Sequence, residues 1–199
     1  MKSAKPFIFL LCLVPCVWLI YQAITGQLSP DAGKELVLGT GEWAIRFLLL
    51  ALTITPLRQW TGKTALLRYR RMIGLYAWFY ASLHLLSVLT YLLGWSWAIF
   101  VEEFVERPYM ALGILAWVLM VPLGLTSNRW AQRKLGRRWK TLQSLVYVIA
   151  ILACAHFVWL LRSDFGEALS YSLILLFLLS ARVFSKYRRS TPLAGVQSA

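Results

Sequence analysis

The chain has 199 residues, of which 59% are hydrophobic, and it carries a formal net charge of +13 at pH 7. A water-soluble domain of this length cannot bury so much apolar surface, so the composition predicts an integral membrane protein. The basic balance does not indicate a nucleic-acid partner, because the Lys and Arg residues stand in short loops between apolar runs rather than along one solvated surface.

Six apolar segments approach the length of about 20 residues that a helix needs to cross a bilayer. In chain order they are Pro6 to Ile24, Trp43 to Leu57, Ile73 to Leu93, Tyr109 to Thr126, Leu142 to Leu161 and Ala168 to Phe184. The first begins like a signal peptide, but no small-residue cleavage site follows it, so we interpret it as a helix. The second is short and carries Arg46 near its start. No alternating runs indicate transmembrane β-strands. The predicted fold is therefore an all-α, six-helix membrane bundle.

Loop charges predict how the bundle is oriented. Seventeen of the 21 Lys and Arg residues fall at the N-terminus, in the stretches 58–71 and 129–140, and in the C-terminal tail. All eight Asp and Glu residues are expected in the three alternate loops. Because basic loops mark the cytoplasmic side, both termini are predicted to be cytoplasmic. Residues 1–190 then form one transmembrane domain, and residues 191–199 are predicted to be a disordered tail.

The only two histidines, His84 and His156, lie in the middle of the third and fifth apolar segments. A ligating side chain at membrane depth indicates a functional site, although a buried histidine can also be a structural hydrogen-bonding residue. These two segments run in the same direction. At 1.5 Å per residue, His156 lies roughly 7 Å and His84 roughly 13 Å from the outer end of its segment. The two side chains are therefore expected to meet in the outer half of the bilayer.

Two imidazoles on facing helices suit the axial positions of a b-type haem, held noncovalently because the chain has no C-x-x-C-H motif. Zinc would usually need four ligands, and no thiolate or carboxylate is expected nearby at that depth. Arg46 is the candidate partner for the haem propionates, although snorkelling to the interface explains its position equally well. An iron with two axial histidines has no open position, which favours electron transfer over oxygen chemistry.

Four blocks of sequence carry a family resemblance. They are RFLLLALTITPLRQW, RYRRMIGLYAWFYASLHLLSVLTY, ERPYMALGILAWVLMVPLGLTS and QRKLGRRWKTLQSLVYVIAILACAHFVW. In this order they resemble the MsrQ family, the membrane haem subunits of the bacterial MsrPQ methionine sulfoxide reductase system. That family belongs with the ferric reductase-like transmembrane proteins. The similarity runs from about Leu36 to Lys186, so residues 1–190 are expected to form one ferric reductase-like transmembrane haem domain.

The resemblance implies a multi-pass protein of the bacterial inner membrane that transfers electrons and is not itself the catalytic subunit. Electrons would come from the quinol pool or a cytoplasmic flavin reductase. They would pass through haem to MsrP, a soluble periplasmic molybdopterin enzyme that reduces methionine sulfoxide in oxidised proteins. The resemblance matches His84 and His156 to the haem ligands. It also implies bound FMN, for which no motif is visible in this sequence.

One position departs from the family pattern. The family commonly has a further histidine on segment five where this chain has Gln143, which helical rise places about 20 Å from His156. The matching level of segment three carries Arg70 and Arg71, neither of which ligates haem. We therefore predict one haem. Whether a non-histidine ligand near Gln143 supports a second haem stays open.

The sequence leaves alternative interpretations open for the two histidines, the acidic stretch and the aromatic residues of segment three. The two histidines could relay protons or bind a metal substrate in a transporter, which would favour inverted repeats or interrupted helices that are not visible. A self-contained oxidoreductase would need a nicotinamide–flavin domain, and none is present in this sequence. The acidic stretch with Glu102, Glu103 and Glu106 either docks a partner or merely lacks basic residues. Four aromatic residues of segment three either line a quinone or flavin pocket or pack against lipid and neighbouring helices: Tyr76, Trp78, Phe79 and Tyr80.

Overall fold

The computed structural model describes residues 4–160 and 165–190, and within these ranges every regular element is helical. Nine α-helices follow one another there: α1 Lys5–Thr25, α2 Ala32–Thr61, α3 Leu67–Ser87, α4 Trp97–Glu106, α5 Pro108–Leu125, α6 Arg129–Leu135, α7 Arg137–Gln143, α8 Val146–Leu160 and α9 Phe165–Ser190. A 3₁₀ turn, Thr64–Leu66, precedes α3, and a π-helical turn, Val88–Leu92, extends it. The predicted disordered tail lies outside the described residues.

Six helical stretches are long and apolar enough to cross a membrane. They are Lys5–Thr25, Ala32–Thr61, Thr64–Leu92, Pro108–Leu125, Arg137–Leu160 and Gly166–Ser185. The prediction of an all-α, multi-pass membrane protein with six spans is confirmed. The spans correspond one to one with the six predicted segments. The predicted end of segment five at Leu161 lies in the gap between the described ranges.

The second span is where the sequence-based boundaries were wrong. It was predicted to be a short segment beginning at Trp43, but α2 begins at Ala32 and is 30 residues long. Asp31 caps it, because its Oδ1 accepts a hydrogen bond from the Lys34 amide at 3.1 Å. Gly62 ends it in the left-handed conformation at φ 69°, which glycine adopts without steric cost. Both end signals were present in the sequence.

Six acidic residues expected in loops lie in helices instead. Glu35 and Glu42 belong to α2, Glu167 belongs to α9, and Glu102, Glu103 and Glu106 belong to α4, a helix that the sequence analysis did not predict. Helix α4 is amphipathic and none of its residues is buried. Its aromatic side chains form one stacked row, with ring centroids 5.1 Å apart between Trp97 and Phe100 and 6.0 Å apart between Phe100 and Phe104.

Two antiparallel helix pairs build the centre of the bundle. Helix α2 packs mainly against α3, and α5 packs mainly against α8, while α9 contacts both α8 and α2. The core residues come chiefly from these five helices. Large apolar side chains cover much of the remaining surface, as on α1, where Phe7, Leu10 and Val17 are more than half exposed. An apolar exterior of this kind suits contact with lipid.

Helix α1 attaches to α3 through two tyrosine hydroxyls. Tyr76 donates a hydrogen bond to the Phe9 carbonyl at 2.9 Å. Tyr80 donates to the Cys12 carbonyl at 2.9 Å and accepts from the Cys16 amide at 3.0 Å. These two backbone groups stand one helical turn apart, beside Pro15, which has no N–H to donate. The two tyrosines are therefore accounted for by helix packing, not by a ligand pocket.

Candidate functional site

The structure brings the two histidines together, as the sequence predicted. His84 projects from α3 and His156 from α8, and their ring centroids lie 6.2 Å apart with ring planes at 76°. Each side chain is only partly buried. The π-helical turn Val88–Leu92 begins one turn after His84, and such turns occur frequently at functional sites.

Each imidazole is held by a backbone carbonyl from the partner helix of its pair. His84 Nδ1 lies 2.9 Å from the Val37 carbonyl oxygen on α2, and His156 Nδ1 lies 2.6 Å from the Tyr109 carbonyl oxygen on α5. A carbonyl oxygen can only accept a hydrogen bond, so each Nδ1 carries the proton. The neutral ring then keeps its lone pair on Nε2, which is the arrangement of a metal-ligating histidine.

Both histidines line one large cavity at the end of the bundle where α4 lies. The cavity holds ≈ 1060 Å³ of space, part of which is open to the outside, and it is bounded by α2, α3, α4, α5 and α8. Its walls are apolar apart from the two histidines and Glu42. Phe100 is the residue of α4 that lines the cavity.

The two imidazoles fit a metal ion whose remaining ligands belong to a planar macrocycle such as haem. An imidazole nitrogen binds a metal ion at about 2 Å, so two rings whose centres lie 6.2 Å apart are close enough to bind one ion between them. Within residues 4–160 and 165–190, no three His, Cys, Asp or Glu side chains form a group that could hold a metal ion. Two neutral imidazoles in an apolar cavity therefore suit haem iron better than zinc.

Arg46, the predicted propionate partner, lies near this cavity but is not part of its lining. It is five residues beyond Gly41, roughly 8 Å further along α2. Its Nη2 pairs with Glu42 Oε2 at 2.9 Å, and its Nε donates to the Tyr171 hydroxyl of α9 at 2.8 Å. Its guanidinium also lies 5.0 Å from the ring centre of Trp43. A propionate role for Arg46 stays a prediction.

Gln143, the position of the family's further histidine, lies away from the cavity. Its Nε2 donates to the Leu123 carbonyl at 3.2 Å and lies 3.3 Å from the Thr126 hydroxyl, so the side chain connects α7 to the end of α5. Gln143 is also the last residue of α7, and a turn separates it from α8. The estimate of its depth from uninterrupted helical rise is therefore only approximate.

The structure reveals an internal repeat that sequence inspection missed. Each histidine is 47 residues after the carbonyl that accepts its proton, in the α2–α3 pair and again in the α5–α8 pair. The two halves share the same arrangement of helices and the same hydrogen bond, but very few identical residues. A search for histidines at a fixed distance after a helix-starting segment could have found it. Because equivalent helices are two spans apart, they run in the same direction, unlike the inverted repeats of many transporters.

Comparisons with known proteins identify the family of this chain. The family described as ferric reductase like transmembrane component matches residues 40–154. This range includes His84 and ends two residues before His156. The heme-binding subunit MsrQ of protein-methionine-sulfoxide reductase from Xanthomonas euvesicatoria pv. vesicatoria (strain 85-10) is 43% identical over 203 residues, covering 96% of this chain and 93% of that protein.

Two further relatives carry the same name. The protein of Xanthomonas campestris pv. campestris (strain 8004) is 46% identical over 87% of this chain and 81% of its own length. That of Polaromonas naphthalenivorans (strain CJ2) is 40% identical over 94% of this chain and 87% of its own length. No solved structure gives a significant match. Taken with the six spans and the facing histidines, these similarities show that the chain belongs to the MsrQ family of ferric reductase-like transmembrane proteins.

Proposed function

We propose that this protein is a membrane cytochrome b that binds one haem b between His84 and His156 and relays electrons across the bacterial inner membrane. Its acceptor would be a periplasmic molybdopterin enzyme of the MsrP kind that repairs oxidised methionines. Its donor would be the quinol pool or a cytoplasmic flavin reductase. The observation that carries the proposal is the pair of neighbouring imidazoles. Their ring centres lie 6.2 Å apart, and each Nδ1 is hydrogen-bonded to a backbone carbonyl.

The protein's own groups account for binding and for one-electron transfer. Bound haem supplies a one-electron iron couple. The carbonyls of Val37 and Tyr109 fix the tautomer of both imidazoles and make each Nε2 a better electron-pair donor. His84 and His156 would both hold the haem iron, which favours electron transfer over oxygen or substrate chemistry, and the apolar lining would limit the access of water to the site. Arg46 would compensate propionate charge, since its guanidinium already lies beside a carboxylate at the same end of the bundle.

The charge distribution supports a specific orientation. Helices α6 and α7, which lie in the connection between α5 and α8, carry only basic ionisable side chains: Arg129, Arg133, Lys134, Arg137, Arg138 and Lys140. Basic connections stay cytoplasmic, so the opposite end with α4 and the cavity would face the periplasm and both termini would be cytoplasmic. The histidine site would then stand near the side where a soluble periplasmic acceptor docks.

The haem proposal is tested by the visible spectrum of the purified full-length protein beside His84→Ala and His156→Ala. Wild type should show a low-spin b-type spectrum and titrate as one haem per chain, and each variant should lose haem. Gln143→Ala is the matched control, because it removes a polar side chain outside the cavity and should keep the haem. Haem retained in either histidine variant, or a stoichiometry of two haems per chain, would contradict the proposal.

The electron route needs a second experiment. Protein in vesicles would be reduced by a quinol or by a flavin reductase, and reoxidation of its haem would be followed after adding an MsrP-like enzyme with methionine sulfoxide. Reoxidation that needs both the enzyme and the sulfoxide supports the relay. Reduction by neither donor, or reoxidation that is independent of the added enzyme, contradicts it. FMN remains a proposal from family resemblance, and flavin released from the purified protein would be measured by fluorescence.

A transporter function is the second candidate from the sequence. It would need the two histidines to exchange protons or release a metal ion. The Nδ1 protons are instead committed to backbone carbonyls, which favours fixed ligands. Purified protein without Soret absorption but with proton- or metal-driven uptake would support the transporter over the cytochrome.

A further inference from the structure

We propose that Gly41 and Gly113 are positioning residues that set the planes of the two imidazoles, one glycine for each half of the internal repeat. The proposal rests on the proposed function, in which those imidazoles ligate haem iron. It goes beyond the identity of the ligands, because it assigns the orientation of both imidazoles to two residues that have no side chain.

The closest fit is at Gly113 on α5. A Cβ added there would lie 2.9 Å from both Cε1 and Nδ1 of His156, which is shorter than real Cβ contacts. The same imidazole is hydrogen-bonded to the Tyr109 carbonyl, which lies four residues earlier on the same helix. The ring is therefore held against one turn of α5. It cannot move away from a new methyl group without stretching the 2.6 Å hydrogen bond that fixes its tautomer.

Gly41 repeats this arrangement on α2. A Cβ at this position would lie 3.0 Å from Nδ1 and 3.1 Å from Cε1 of His84. The accepting carbonyl belongs to Val37, again four residues before the glycine. Carbonyl, glycine and histidine thus recur in the same order and spacing in both helix pairs. A chance small residue would not be expected to face the same two ring atoms in both halves.

Other glycines of α2 and α3 show that this contact is specific. Gly39, two residues before Gly41, faces the flexible end of the Leu19 side chain at 3.0 Å, on the side of α1. Gly33 faces Tyr91, with a Cβ-to-Cβ distance of 2.9 Å. Gly74 in α3 has nothing within 4 Å of an added Cβ. Helix packing therefore accounts for Gly33 and Gly39, whereas Gly41 and Gly113 adjoin the ligands themselves.

Ring planes have an observable consequence. In low-spin ferric haem with two imidazole ligands, the largest g value depends on the angle between the ligand planes, and here the planes stand at 76°. Groups that orient a metal-bound histidine typically contribute about 10-fold to 100-fold in metal affinity. A methyl group that turns either ring should therefore weaken haem binding and change the spectrum together.

The experiment compares Gly41→Ala and Gly113→Ala with Gly39→Ala and Gly74→Ala in the purified full-length protein. Haem affinity is measured by titrating apoprotein with haem, and the ligand planes are measured by electron paramagnetic resonance of the oxidised form. Each of the first two variants should bind haem at least about tenfold more weakly and shift the largest g value. The two control variants should match wild type in both measurements.

Folding is checked by circular dichroism and gel filtration, with Gly33→Ala as a control for a steric clash away from the site. Gly33→Ala should keep the wild-type g values in whatever fraction folds. Wild-type affinity and g values in Gly41→Ala and Gly113→Ala would overturn the inference. So would misfolding of both apoproteins while the controls fold, because the glycines would then serve helix packing. Wild-type protein that binds no haem would instead refute the proposed function.

Discussion

Removal of the Tyr80 hydroxyl should weaken the attachment of α1 to the bundle without affecting the histidine site. The hydroxyl lies between the Cys12 carbonyl, to which it donates at 2.9 Å, and the Cys16 amide, from which it accepts at 3.0 Å. Tyr80 itself is fully buried, with 0% of its surface exposed. Tyr80→Phe keeps the ring stacked on Phe47, whose centroid is 5.1 Å away, and deletes only the two hydrogen bonds.

The expected loss in the free energy of unfolding is about 1–3 kcal/mol, since each hydrogen bond contributes about 0.5–1.5 kcal/mol net. Interhelical hydrogen bonds inside membrane proteins average about 0.6 kcal/mol, which favours the lower part of that range. The Cys16 amide and Cys12 carbonyl stand one turn apart and can bond to each other once the hydroxyl is gone. We therefore expect about 1 kcal/mol.

Tyr76→Phe is the matched comparison, because it removes a single hydrogen bond, to the Phe9 carbonyl, from the neighbouring turn of α3. Unfolding would be followed by circular dichroism while a denaturing detergent is titrated into protein in a mild detergent. Tyr80→Phe should cost more than Tyr76→Phe, and both should keep the wild-type haem spectrum. An unchanged stability of Tyr80→Phe, or a loss below that of Tyr76→Phe, would refute the bridging role.

Two further predictions concern the charged groups near the cavity. Arg46→Ala should reduce haem content while Arg46→Lys, which keeps the positive charge, retains more of it, as measured by pyridine haemochrome absorbance. Equal haem loss in both variants would refute the propionate role. Glu102→Lys with Glu106→Lys on α4 should slow electron delivery to a periplasmic acceptor in stopped-flow assays, most strongly at low salt, whereas Glu103 is already paired with Arg107 at 2.7 Å. Equal rates of electron delivery by the variant and the wild type at low salt would refute docking of the acceptor on α4.

The depth arithmetic on His84 and His156 predicted a meeting that the structure contains, and the reason is physical. Residue spacing fixes the height of a side chain along its helix. Because spans three and five run in the same direction through the bundle, the heights of His84 and His156 can be compared directly. The predicted start of α2 was wrong, since hydropathy alone does not detect a helix that continues through Glu35 and Glu42 beyond its apolar stretch. The capping residues Asp31 and Gly62 were the better signal.

The sequence by itself determined the membrane class, the six spans, the two candidate ligands and the family, because apolar runs and ordered sequence blocks are local properties of the chain. Only the tertiary structure decided which groups accept the histidine Nδ1 protons, that Glu42 faces the cavity while Arg46 does not line it, and that two glycines adjoin the imidazoles. Those facts depend on the rotation of each helix about its axis and on contacts between distant segments. Neither is encoded in the spacing of residues along one helix.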